Sequence, residues 1–414
     1  MRVLILDEPS MSDLVLRNYR PTGGIHPESA NIANALAFVD AIAPHTGKPY
    51  SEELLFGIGG GIGVGYILWE FKRWDAAIMT LGFQHQWNYP REFCEAICVR
   101  LSASHTFLET GGKKTAEKHL TDALASGRPA ICWVDQGNLP YLHLSEEMAG
   151  CFGWIVAVYG LDDSSVLIDD LGKKPFLLTR AQLQAARGRI SSYKNRILIV
   201  DPPNGPVLER AVVSGIRDCV EQLSGPSETF GLKALLKWSK MMTDKRGKKG
   251  WPTVFEGGVG LYGALVSMHE AICHLGTDGA GLRSMYADFL AEAARVLDSK
   301  ALQKVSRKYR AVAKHWSHLA EIVLPQEVFS ETLDLIEKKH VILRTKGQSG
   351  LPQLEKYAGR LEALRLAYNK DCPLGKSARW SLYGDVAAEL QELHRVESEA
   401  IRQLDEAIAE HVPT

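Results

Sequence analysis

The segment Asp201-Pro202-Pro203-Asn204-Gly205-Pro206 limits the fold more than any other stretch of this chain. Three prolines and a glycine in six residues read as a breaker cluster, because proline lacks the ladder N–H and fixes φ. The cluster separates two regions of different pattern. Before it, short β-rich apolar runs lie between turn residues: Ala130–Asp135, Trp154–Tyr159, Val166–Asp170 and Arg196–Val200. Leu161-Asp162-Asp163-Ser164-Ser165 reads as the turn of an antiparallel hairpin joining the second and third runs. After it the apolar period is helical, as in Tyr286, Phe289, Leu290, Ala293 and Val296, or Leu354, Tyr357, Leu361, Leu364 and Tyr368. The stretch from Ala387 to Glu410 reads as one long helix. A length of 414 residues suits two domains, expected at 1–204 (α+β) and 205–414 (helical).

The first region opens with a helix. Ile32, Leu36, Val39 and Ile42 share a 3.6-residue stripe, and Pro27 suits the first turn, where its missing N–H costs nothing. The glycine run from Gly57 to Gly65 has no G-x-G-x-x-G spacing and no following Gly-Lys-Ser/Thr, so it is not a phosphate loop. It reads instead as a close-packed turn, with Gly60 and Gly61 lining a substrate pocket.

Formal net charge is −1, which argues against a nucleic-acid binder. The basic stretch Lys245-Arg246-Gly247-Lys248-Lys249 reads as a solvated loop, with a phosphate or carrier-protein contact as the alternative. Seven scattered cysteines, with no paired metal-ligand spacing, point to a reduced protein, with Cys94 and Cys98, one helical turn apart, as buried thiols. No metal or organic cofactor is signalled. The apolar run at Met1–Asp7 is too short for a signal peptide, and no stretch is long enough to span a bilayer. A cytoplasmic protein is expected, with no membrane partner and with a homodimer left open.

Several residue groups together resemble a known family. Gly24-x-His26-x-Glu28-Ser29, Ser51-Glu52-x-Leu54-Leu55-Phe56-Gly57-Ile58-Gly59 and Tyr159-Gly160-Leu161-Asp162-Asp163 are similar to the butirosin biosynthesis protein H N-terminal family. Phe230-Gly231-Leu232, Gly281-x-Arg283 and the stretch from Tyr286 to Ala293 resemble the helical domain that commonly follows it. The resemblance implies a papain-like α+β domain in natural-product biosynthesis. Typical members move an aminoacyl group from a carrier-protein thioester to an amine. They use a cysteine at a helix N-terminus and a histidine on a strand, oriented by a carboxylate.

This chain departs from that pattern. His26-Pro27 stands where the family has His-Cys, and counting back from Gly160 places Trp154, preceded by Gly153, where the second histidine is expected. Asp169 or Asp170 stands at the orienting position. The remaining candidates for chemistry are His26 and Glu28 as proton-transfer groups, with Ser29 and Asp169 in support. Asp135 and Tyr141, in a region that also holds Asn138 and His143, are expected to line the cleft with Trp154. Each has a structural alternative: His26 as helix cap, Glu28 as a first-turn acid, Ser29 as capping or packing, Trp154 as core. Arg283, Tyr286 and Glu292 either close over the cleft or hold packing. The favoured expectation is an enzyme acting on an acyl, amide or amine intermediate, free or carrier-bound, without a cysteine nucleophile. The alternative is an inactive homologue that binds a ligand, carrier protein or partner.

Overall fold

A computed structural model describes residues 14–71, 76–87, 89–162, 164–409 and 411. The apolar run at Met1–Asp7, Asp163 of the expected turn and the expected helix end at Glu410 lie outside them. The chain forms two compact units. One holds the described residues up to Ile42, Ser104–Pro202 and Val341–Ala358; the other holds Ala43–Ala103, Pro203–His340 and the described residues from Gly359 onward. This differs from a single division at residue 204. The chain does cross between units there, but 43–103 joins the helical core and 341–358 returns to the first unit.

The first unit is α+β. Its elements are β1 (Leu14–Val15), α1 (Pro27–Phe38), β2 (Ala103–Leu108), α2 (Lys113–Ala125), β3 (Ala130–Asp135), β4 (Gly153–Leu161), β5 (Ser165–Asp169), β6 (Phe176–Thr179), α3 (Arg180–Arg189) and β7 (Ile197–Pro203). The sheet order is β6-β5-β4-β3-β7-β2, and β1 also pairs with β4. The expected hairpin is β4 and β5, antiparallel with Ala157 opposite Asp169. Helix α1 starts at Pro27, as expected, but stops at Phe38; Asp40 has φ 54°, so Val39 and Ile42 of the stripe lie beyond the helix.

The strands of this sheet alternate, with one irregularity in β4 between Val158 and Gly160. Cys132, Val134, Val156, Val158 and Ile168 pack in one core with Leu120 and Leu124 of α2 and Leu183 and Ala186 of α3. The intervening positions face α1: Tyr159 stacks on Tyr19 at 4.5 Å, and Asp169 bonds Asn34 of α1. This alternation decides which side chains can meet the start of α1.

The second unit is mainly helical, and its long antiparallel hairpin, Ile62–Phe71 with Ala76–Gln84, was not evident from the glycine run. The hairpin is held by aromatic contacts: Tyr66 stacks on Trp238 at 5.0 Å and accepts a 2.9 Å hydrogen bond from Trp251 Nε1. The buried centre contains an ion pair between Arg283 and Glu397, both fully shielded, with Nε–Oε1 at 2.9 Å and Nη2–Oε1 at 2.7 Å. Arg283 also donates to Gly63 O and Gly281 O, and Trp316 Nε1 donates to Glu397 Oε2 at 3.1 Å. Arg283 therefore serves packing inside this unit. Glu292 likewise accepts from Ser51 Oγ and lies 2.8 Å from His45 Nε2.

Candidate active site

The start of α1 gathers the polar residues expected to carry chemistry. His26 is the N-cap, with extended backbone (φ −99°, ψ 122°), and Pro27 occupies the first helical turn. His26 Nδ1 accepts from the Ser29 backbone N–H at 3.4 Å and lies 2.9 Å from Ser29 Oγ. A nitrogen that accepts a backbone N–H is unprotonated, so the neutral ring carries its proton on Nε2. That Nε2 stands 3.1 Å from Glu28 Oε2. Glu28 Oε2 is buried without a hydrogen bond among the described residues. His26 is 1% exposed and Ser29 fully buried, so this hydroxyl–imidazole–carboxylate chain is shielded from water.

Asn31 fixes this end of the helix against the sheet. Its Nδ2 donates to Pro27 O at 2.8 Å and to Ile155 O at 3.3 Å, tying the first turn of α1 to the start of β4. The first residue of β4 is Gly153. A Cβ built there would stand 1.7 Å from Tyr193 Oη, so the phenol fills the space that a side chain at this position would take. Burial, followed by the charge of Glu28, pushes the Tyr193 hydroxyl up to about 12. Tyr193 was missed in the sequence because it follows α3 in a short turn with no motif of its own.

Trp154 does not take the place expected of it. Strand alternation turns its indole to the face away from α1, where it packs on the core beside α2 and α3. Its Nε1 donates to Asp170 Oδ1 at 2.8 Å, and Tyr141 Oη donates to Asp170 Oδ2 at 2.8 Å. Tyr141 also stacks on Phe176 at 4.0 Å. Trp154 and Tyr141 thus correct the expectation of two cleft-lining side chains: both are bound into a network on the opposite face.

Asp169 and Asp170 divide between the two faces, as successive residues at a strand end do. Asp169 faces α1, where Tyr19 Oη donates at 2.7 Å and Asn34 Nδ2 at 2.9 Å, both to Oδ2. Its Oδ1 is buried without a hydrogen bond among the described residues. Burial raises its pKa to about 6 despite these two donors. Asp169 bonds to the helix two turns beyond His26 and forms a separate network from the Ser29–His26–Glu28 chain. Asp135, paired across from Gly153, organises the loop after β3 by accepting from Asn138 Nδ2 at 2.6 Å and Gly150 N at 2.9 Å.

Gly60 and Gly61 belong to the second unit. Both have positive φ, 116° and 65°, and a Cβ would stand 2.5 Å from the His85 ring or 2.4 Å from the Tyr286 ring. Close packing and backbone conformation account for both glycines. Among the described residues no group of histidine, cysteine and carboxylate side chains could hold a metal ion, and no helix is long and apolar enough to cross a membrane.

The first unit is thus an α+β domain that presents a helix N-terminus, with shielded acid–base groups, to the start of an antiparallel strand. Residues 26–171 match the family model described as butirosin biosynthesis protein H, N-terminal, and residues 178–343 match a domain of unknown function, DUF4872. The chain belongs to the butirosin biosynthesis protein H N-terminal family, with that second domain following. No curated protein matches it.

Proposed function

We propose that this protein acts in natural-product biosynthesis, through a papain-like, acyltransferase-derived site that works without a cysteine nucleophile. Its substrate is an acyl, amide or amine-containing intermediate, and its chemistry is proton transfer leading to cyclisation, condensation or hydrolysis. The observation that carries this reading is the contact chain from Ser29 Oγ through His26 to Glu28, at 2.9 and 3.1 Å. With Nδ1 unprotonated, the imidazole is a base toward the hydroxyl, while Glu28 stabilises the imidazolium that forms. Burying such a set with one carboxylate oxygen poorly satisfied costs stability, and such costs concentrate at sites of chemistry. Thioester exchange through a thiol has no support here. Pro27 has no nucleophile, and Gly153 with the Tyr193 phenol leaves no imidazole at the start of β4.

A binding module is the second reading, and the complete burial of Ser29 favours it. A histidine that merely caps α1 would make the same Nδ1 contacts. Turnover separates the two. Acyl and amine intermediates made by neighbouring biosynthetic genes are incubated with wild type, His26→Asn and Ser29→Ala, and products are followed by mass spectrometry. Loss of a general base lowers turnover by about 10²–10⁴-fold. Product formation at equal rates in all three removes the proton-transfer reading. Saturable binding without product supports the binding module.

A further inference from the structure

A cleft of about 320 Å³ in the second unit is independent of the α1 site. Its floor is apolar and well packed from beneath: Leu223 (1% exposed), Leu232 (5%) and Ile401 (3%). Its rim is polar. His394, Ser398, Arg402 and Asp405 line it from one face of the helix Lys376–Ala409, and Lys233 lines it from the start of the helix Lys233–Thr243. An apolar floor with a few convergent polar groups is the ordinary composition of a small-molecule site.

The charges on the rim are not equivalent. Arg402 is already committed, since it bonds Glu399 Oε1 at 2.7 Å and also Glu406. Burial holds the His394 imidazole below its usual range, so it stays neutral near pH 7. Lys233 and Asp405 remain. Neither has a hydrogen bond or ion pair among the described residues, and although opposite in sign they do not pair with each other. A ligand that satisfies both must carry a carboxylate and an ammonium group, with an apolar part for the floor. The volume, equal to about ten waters at about 30 Å³ each, is too large for a lone ion and suits one amino acid.

We infer that this cleft binds a free amino acid with an apolar side chain, its carboxylate on Lys233, its ammonium on Asp405 and its side chain over Leu223, Leu232 and Ile401. The test is isothermal titration of the full chain with leucine, with isocaproate (no amine) and with isoamylamine (no carboxylate). Leucine binds with a dissociation constant on the order of 10⁻⁴ M, as fits so small a ligand, and each truncated compound binds at least about tenfold more weakly. Lys233→Met and Asp405→Asn, both at exposed positions, each weaken leucine by about tenfold or more while leaving the thermal unfolding of the free protein in place. Asp405→Asn also removes the preference for leucine over isocaproate. Absence of leucine binding at concentrations on the order of 10⁻² M overturns the assignment. So does leucine binding that neither substitution changes. Because the titration needs no turnover, its outcome is separate from that of the α1 site.

Discussion

Asp169→Asn tests the account of the α1 face most directly. The Asp169 carboxyl has an ordinary value of 3.8 and is raised by burial to about 6 in the folded chain. The folded state therefore holds a proton that the unfolded state releases between these two values. Stability rises with pH only where the unfolded state binds more protons, so here it falls as pH climbs from about 4 to about 6 and then levels off. The difference of 2.2 units, at about 1.36 kcal/mol each, amounts to about 3 kcal/mol lost on the alkaline side. Asparagine keeps an acceptor for Tyr19 and Asn34 but cannot ionise. The stability of Asp169→Asn minus that of wild type should therefore rise by about 2–3 kcal/mol from pH 4 to pH 7.5. Other carboxylates cancel in this difference. Urea unfolding followed by far-ultraviolet circular dichroism at a series of pH values measures it. A difference that stays flat, or declines with pH, refutes the claim that Asp169 is a desolvated carboxylate on this face.

Three further expectations concern other parts of the molecule. Glu397→Ala leaves the Arg283 guanidinium and the Trp316 N–H buried without their acceptor, at a cost of about 3–5 kcal/mol in urea unfolding. The double variant Arg283→Met/Glu397→Leu should recover most of that, and a single-variant cost below about 1 kcal/mol would contradict the buried pair. At pH 7 a disulfide reagent should rapidly label Cys151 alone, since it is exposed while burial pushes Cys98, Cys219 and Cys273 up to about 12. A second fast thiol in native protein would reopen sulfur chemistry. His26→Asn retains a capping acceptor, so stability should stay within about 0.5 kcal/mol of wild type while turnover is lost. Unchanged turnover would assign His26 to capping alone.

The sequence by itself determined the local facts. The breaker cluster at 201–206 separates strand-rich from helical pattern because proline and glycine act on the backbone where they stand, although β7 runs on through Pro202 and Pro203 before the chain turns. Pro27 and His26 mark the start of α1 for the same reason, and a cysteine missing from position 27 is missing in any fold. The hairpin of β4 and β5 was legible from two short apolar, β-rich runs and a turn. Which face each strand residue meets was not, since alternation shows that Asp169 and Asp170 part company but not which one turns toward α1. Counting along the chain put Trp154 in the site; the sheet turned it to the other face and filled the space at Gly153 with Tyr193 from a distant turn. Likewise residues 43–103 precede much of the first unit yet join the core of the second. Periodicity reports that a side chain will be buried, whereas its companions are chosen by the packing of segments far apart in the chain. Only the tertiary structure decides that.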